Sequence, residues 1–343
     1  MMISNQFNEI PVTKRAAAGF TLVELMIALV LGLLVVAGVG SVFLANQNAY
    51  RTNVALGDVQ ESARTSFEFL ARDIRSAGAN PCGTANVASV LNGGGDQMLY
   101  SSGNIEGWDN ATTVADLPSS GSGAPVAGAG GAIRLSSARG AGLELEAVTG
   151  PRANVKLENS TTAIKKGNVL MICDVDKATV FQVTNYNSSG KTVVHNAGAG
   201  NPGNQTQCLN HPVPQPPSGG SCNSFHPSSY LAIPVNYIWY IGQNDVGGRS
   251  LYRYGRGQQA TSGTAEMVRG VSEMALSYHE QGGSGYVAAG SVSNWESVDA
   301  VRLELTVRSR GFQPGGARGA GTDNQPLERV YTSTVALRNQ LNN

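Results

Sequence analysis

Residues 25–45, LMIALVLGLLVVAGVGSVFLA, carry no charge, and this run constrains the chain more than any other feature. Twenty-one residues at about 1.5 Å each cover roughly 32 Å, the thickness of a bilayer's hydrocarbon core. The bland alternative is a buried core helix. A cleaved secretory signal is the stronger rival, but its apolar region spans about 7–15 residues and its small-residue cut site follows that region. Here Ala16, Ala17, Ala18 and Gly19 come before the apolar run. The order is wrong for ordinary signal cleavage, and a membrane helix remains. Lys14 and Arg15 precede the span, and the next basic residue is Arg51. The positive-inside rule therefore puts the first residues in the cytoplasm and the remainder outside.

Glu24 is out of place in this setting. A carboxylate costs about 2.5–3.5 kcal/mol near the centre of a membrane helix and less toward its end. It calls for a cationic partner, and the span has no basic residue. A cut between Gly19 and Phe20 would create an α-amino group four residues before Glu24, one helical turn away. A neighbouring subunit could supply the same charge.

The run Gly19-Phe20-Thr21-Leu22-Val23-Glu24-Leu25-Met26-Ile27-Ala28-Leu29, behind a basic leader, resembles the class III signal of type IV prepilins and pseudopilins. The resemblance implies that a prepilin peptidase cleaves after Gly19 and N-methylates Phe20. It also implies that Glu24 meets the N-terminal amine of an adjacent subunit during assembly. Residues 1–19 are then a leader peptide and residues 20–45 the transmembrane half of a spine helix.

The helical pattern continues through an amphipathic half at residues 46–78. Tyr50, Val54, Val59, Ala63, Phe67, Leu70, Ile74 and Ala77 recur mostly at spacings of three and four. Arg51, Asp58, Glu61, Arg64, Arg72, Asp73 and Arg75 are expected largely off that face, with Glu68–Arg72 as an i,i+4 pair. Gly78 offers a C-cap and Pro81 a stop. Phe20 to Ala77 is 58 residues, roughly 87 Å if helical throughout, a length that suits a filament spine. Gly32, Gly38, Gly40 and Gly57 read either as ordinary membrane-helix glycines or as points of local melting or close helix packing. The stretch from Gln60 to Gly78, including Ala71-Arg72-Asp73-Ile74-Arg75, is similar to the spine end of PilW-type minor pilins.

Residues 79–343 read as a β-rich globular head with loop insertions. Val169–Cys173, Thr179–Thr184, Thr192–His195, Tyr230–Ile241, Leu251–Tyr254 and Val330–Leu337 are strand-like. Pro234 predicts an edge or a bulge. Val301, Leu303, Leu305 and Val307 alternate with Arg302, Glu304, Thr306 and Arg308, the period of a half-buried strand. The expectation is an α+β fold, with one antiparallel sheet packed on the outer half of the spine helix, as in pilins. Residues 83–130 and 196–229, rich in Gly, Ser, Asn and Pro, read as long loops.

An oxidising exterior predicts disulfides among Cys82, Cys173, Cys208 and Cys222. Four cysteines allow three connectivities; Cys82–Cys173 and Cys208–Cys222 are favoured. Cys208-x2-His211 with Cys222-x3-His226 is the weaker, zinc-like alternative. Asp174 and Asp176 fall short of a calcium ligand set and read as a solvated turn. No metal or cofactor is expected. His195 and His279 read as isolated polar residues, and no nucleophile-elbow, phosphate-loop or metalloprotease motif occurs, so no catalytic residue is assigned.

Composition narrows the classes. The 24 Lys plus Arg balance the 24 Asp plus Glu, which gives no direct nucleic-acid signal. With 41% apolar residues there is enough for a core. Resemblance to PilW-type minor pilins implies a single-pass inner-membrane protein with a periplasmic head that later joins a cell-surface pilus. Its implied partners are a prepilin peptidase, other minor pilins and the major pilin. The implied function is priming of pilus assembly, at the tip, in support of adhesion, motility or DNA uptake. The competing readings are a minor pseudopilin of a type II secretion system and a membrane-anchored periplasmic binding protein.

Overall fold

Helix α1 occupies Leu22–Ser76 in the computed structural model, which describes residues 19–79, 82, 87–92, 104–148, 154–198, 200, 202–209, 225–226, 228–256, 263–309 and 326–338. The chain divides after Asn53 into two units. In the first, α1 is long and apolar enough to cross a membrane, and every described side chain up to Tyr50 is exposed within the chain. A stretch with that much uncovered Leu, Val and Ile takes its stability from lipid or from other chains rather than from its own core.

In the second unit, α1 buries Ala55, Val59, Ser62, Ala63, Ser66, Leu70, Ala71, Asp73 and Ile74. The spacing is helical, but Tyr50 and Val54, expected on the apolar face, are exposed. Asp73, expected off that face, lies on it, three residues after Leu70 and four before Ala77. The expected Glu68–Arg72 pair is replaced by Arg64–Glu68 at 2.9 Å. The helix stops at Gly78, whose φ of +73° suits the residue after a C-cap. The Gly78 N–H then bonds the carbonyl of Ser136, fastening the helix end to the sheet. Pro81 lies outside the described residues.

The strands among the described residues are β1 (Val87–Ser89), β2 (Ile105–Trp108), β3 (Ala132–Val148), β4 (Asn154–Leu157), β5 (Val169–Cys173), β6 (Ala178–Gln182), β7 (Asn185–Asn187), β8 (Thr192–Val194), β9 (Tyr230–Gln243), β10 (Arg249–Arg256), β11 (Gly263–Arg269), β12 (Val271–Glu280), β13 (Tyr286–Val287), β14 (Val298–Arg308) and β15 (Glu328–Ala336). They form two sheets, not the single sheet expected. One has eleven strands with β9 and β3 at its centre; the other has four, in the order β13-β12-β14-β15. Pairing is antiparallel except for β1 with β6. The stretch 83–130, expected as loop, contributes β1 and β2.

Pro234 sits inside β9, where one flank changes partner. Tyr230–Ala232 pair with β5 and Asn236–Gln243 with β10, while Ile233–Val235 pair only with β3. A residue without an N–H is tolerated at such a local edge.

The outer part of α1 and both sheets share one core. Val59, Leu70 and Ile74 meet Ile133, Trp239 and Ile241 from the large sheet and Met274, Leu303 and Leu305 from the small one. A second core, including Leu157, Leu170, Phe181, Val193 and Leu231, lies within the large sheet's other half. The fold is α+β: one long N-terminal helix and a mostly antiparallel β-domain.

Candidate functional site

At the start of α1, Thr21 and Glu24 cap each other. The Thr21 N–H and hydroxyl both donate to Glu24 Oε2 at 2.9 Å, and the Glu24 N–H donates to Thr21 Oγ1 at 3.3 Å. This is a capping box, which satisfies donors that a helix start leaves open. The acid that looked unpartnered in the sequence thus has a local partner in the isolated chain, and it is a neutral one. Phe20, directly before the cap, is 88% exposed. A Cβ on Gly19 would meet nothing within 4 Å, so no contact among the described residues requires glycine there. The same holds for Gly32, Gly38, Gly40 and Gly57.

In the globular unit, the end of α1 is held by a polar cluster. Trp239 Nε1 donates to Asp73 Oδ2 at 3.1 Å, and Arg253 lies 3.7 Å from the same oxygen. The Arg253 guanidinium stands 4.3 Å from the centroid of the Tyr237 ring. A buried carboxylate needs such compensation. Sequence reasoning missed this cluster, although the three- and four-residue spacing to Leu70 and Ala77 was a usable signal.

Toward the other end of β9, where Cys173 pairs with Tyr230, Cys82 and Cys173 form a disulfide that joins the segment after α1 to β5. Cys208 is also disulfide-bonded and so does not offer zinc a thiolate. Cys222 and His211 lie outside the described residues. Asp174 does not sit in a solvated turn. It is buried, takes the Val175 and His226 N–H groups, and lies 3.8 Å from Lys177. Asp176 is exposed. Among the described residues no group of three or more His, Cys, Asp or Glu could hold a metal ion.

Neither histidine behaves as an isolated polar residue. His195 is buried against Phe181, its Nδ1 has no partner, and burial pushes its pKa down to about 4. His279 bridges two acceptors, Asp299 Oδ1 at 2.7 Å and the Gly283 carbonyl at 3.0 Å. Two acceptors require two N–H groups, so the geometry selects the imidazolium, and its pKa is raised chiefly by the Asp299 bond. Next to it, Glu280 accepts from the Ser293 hydroxyl and N–H and from the Asn294 N–H, which hold its pKa down to about 2.

Comparison with known proteins adds two matches. Residues 14–40 match the prokaryotic N-terminal methylation motif, and residues 238–339 match the family model described as Type IV Pilus-assembly protein W. The chain is PilW-like over residues 238–339 and carries a prokaryotic N-terminal methylation motif. The PilW match runs from the second half of β9 to just past β15 and takes in the whole four-stranded sheet. No curated protein and no solved structure matches. Together the two family matches support a type IV pilus minor pilin, a structural protein rather than an enzyme. They imply processing by a prepilin peptidase and association with other pilins, and they fit a membrane-anchored chain with a C-terminal globular domain.

Proposed function

We propose that this PilW-like chain is a minor pilin that is cut after Gly19, methylated at Phe20 and held in the inner membrane with its head in the periplasm. It then enters a complex with other minor pilins that primes pilus assembly at the tip, in support of pilus-dependent adhesion, motility or DNA uptake. The observation that carries this reading is the order of Gly19, Phe20 and Glu24 before an uncovered apolar helix. Among the described residues, glycine at position 19 has no packing reason, which is what recognition by an external enzyme would leave behind. The exposed Leu, Val and Ile of α1 suit two successive environments, lipid and then the helices of other subunits.

In this account Glu24 exchanges the neutral Thr21 contact for the amine of an adjacent subunit, because an ion pair satisfies a carboxylate in an apolar core better than a hydroxyl does. Replacing Glu24 by Ala should leave cleavage intact and reduce incorporation. Comparison of processed protein in membranes with protein in sheared filaments tests this, and unchanged filament levels would count against the role. The methylation motif alone would also suit a type II secretion pseudopilin; the PilW match at residues 238–339 favours the pilus.

A further inference from the structure

The outer face of the four-stranded sheet carries a cleft of about 500 Å³ that the pilin reading does not use. Its floor is small because Ala300 and Ala336 stand opposite each other across β14 and β15. His279 on β12 pairs with Ala300 on one side and with Tyr286 of β13 on the other. Tyr286 forms a wall, with the Arg302 guanidinium 4.0 Å from its ring centroid and the His279 ring 5.5 Å away. Ser284 and Gly285 complete the rim.

The charges in the cleft do not cancel. His279 is neutralised by Asp299. Arg302 makes no hydrogen bond or ion pair among the described residues; its guanidinium lies over the Tyr286 ring. With the guanidinium over the ring and no hydrogen bond to another described residue, its N–H groups are available to a carboxylate, which a guanidinium binds through two hydrogen bonds. Glu304, two residues on along the same face, does not line the cleft. The rest of the surface mixes the Ser284 and Tyr286 hydroxyls with two methyl groups, and so presents hydrogen-bonding groups beside a flat apolar patch. A pyranose ring has the complementary make-up, with hydroxyls at its edge and C–H groups on its face. The depression is shallow and open, so it would hold one face and edge of a ring rather than enclose it.

We infer that this cleft binds a carboxylate-bearing sugar of the uronic acid class, with Arg302 taking the carboxylate and Tyr286 flanking the ring. The inference gives the displayed head a ligand and in that sense rests on the surface-pilus reading, but binding by purified protein is independent of assembly. The experiment is calorimetric titration of the detergent-solubilised full chain with a hyaluronan tetrasaccharide, and with its methyl ester as the neutral control. Saturable binding is expected for the acid, weakened at least tenfold in the ester and in Arg302→Ala. Ala336→Phe, which fills the floor from an exposed position, should also abolish it while circular dichroism stays unchanged. No saturable binding, equal binding of acid and ester, or full affinity in Arg302→Ala would each overturn the proposal. A preference for a polyglutamate peptide over the tetrasaccharide would overturn the sugar assignment.

Discussion

Trp239 and Asp73 are 166 residues apart in the chain and share one hydrogen bond of 3.1 Å inside the main core. The bond crosses from the last turns of α1 to the central strand of the large sheet, and Arg253 from the neighbouring strand closes on the same oxygen. The helix end is therefore located by directional contacts as well as by apolar packing.

Asp73→Ala should destabilise the globular unit by about 2–4 kcal/mol, because it strands an indole N–H and a largely buried guanidinium. Asp73→Asn keeps an acceptor for Trp239 but loses the charge facing Arg253, and should cost less. Urea unfolding followed by Trp fluorescence measures both. Equal stability of wild type and Asp73→Ala would show that the cluster contributes nothing.

The Cys82–Cys173 bridge closes a loop with a sequence separation of 91. Chain-entropy reasoning gives about 4.6 kcal/mol for a loop of that size, as an upper figure. The double variant Cys82→Ser/Cys173→Ser should unfold at lower urea and be cut faster by protease between α1 and β5. Unaltered protease resistance would mean that packing alone holds that junction.

His195 makes the head acid-sensitive. Its pKa is about 4 in the folded chain against an ordinary value of 6.5, so the unfolded chain binds the proton first. Stability from this group is complete above pH 6.5 and declines as pH falls toward 4, by roughly 3 kcal/mol in total. Unfolding midpoints measured from pH 7 to pH 4.5 should fall less in His195→Leu than in wild type. Parallel pH profiles would contradict this.

His279 and Glu280 act in opposite directions on the small sheet. The raised pKa of His279 means that its contribution is present below pH 6.5 and is lost as pH rises through its folded value. The Glu280 contribution is present above pH 4.5 and is lost as pH falls toward 2. Amide protection factors in β12 and the Gly283 turn, with the intrinsic base-catalysed exchange rate divided out, should therefore be highest in mildly acidic buffer and lower at pH 9. His279→Gln should remove the alkaline part of that dependence.

The sequence made the one-dimensional features readable. The apolar span, Gly78 as a stop and the burial of Val301, Leu303, Leu305 and Val307 all follow from composition or period within a few residues. The features that were missed depend on distant partners. β3 is interrupted by Gly140 to Gly142, where its register against β9 shifts, so its two halves do not read as one strand. The alternating Met274 and Tyr278 of β12 were likewise passed over, and with them the second sheet. Asp73 was assigned to the wrong face because charge was taken as a sign of exposure, although Trp239 and Arg253 make burial tolerable. His279 looked solitary because Asp299 is twenty residues away and becomes its partner only through the pairing of β12 with β14.

The central claim is that the chain is processed and assembled as a pilin. Intact mass and N-terminal sequencing of protein from membranes and from sheared surface filaments test it most directly. The account predicts a mature chain beginning at N-methylated Phe20 in both fractions. An uncut chain, present in membranes and absent from filaments, would contradict it.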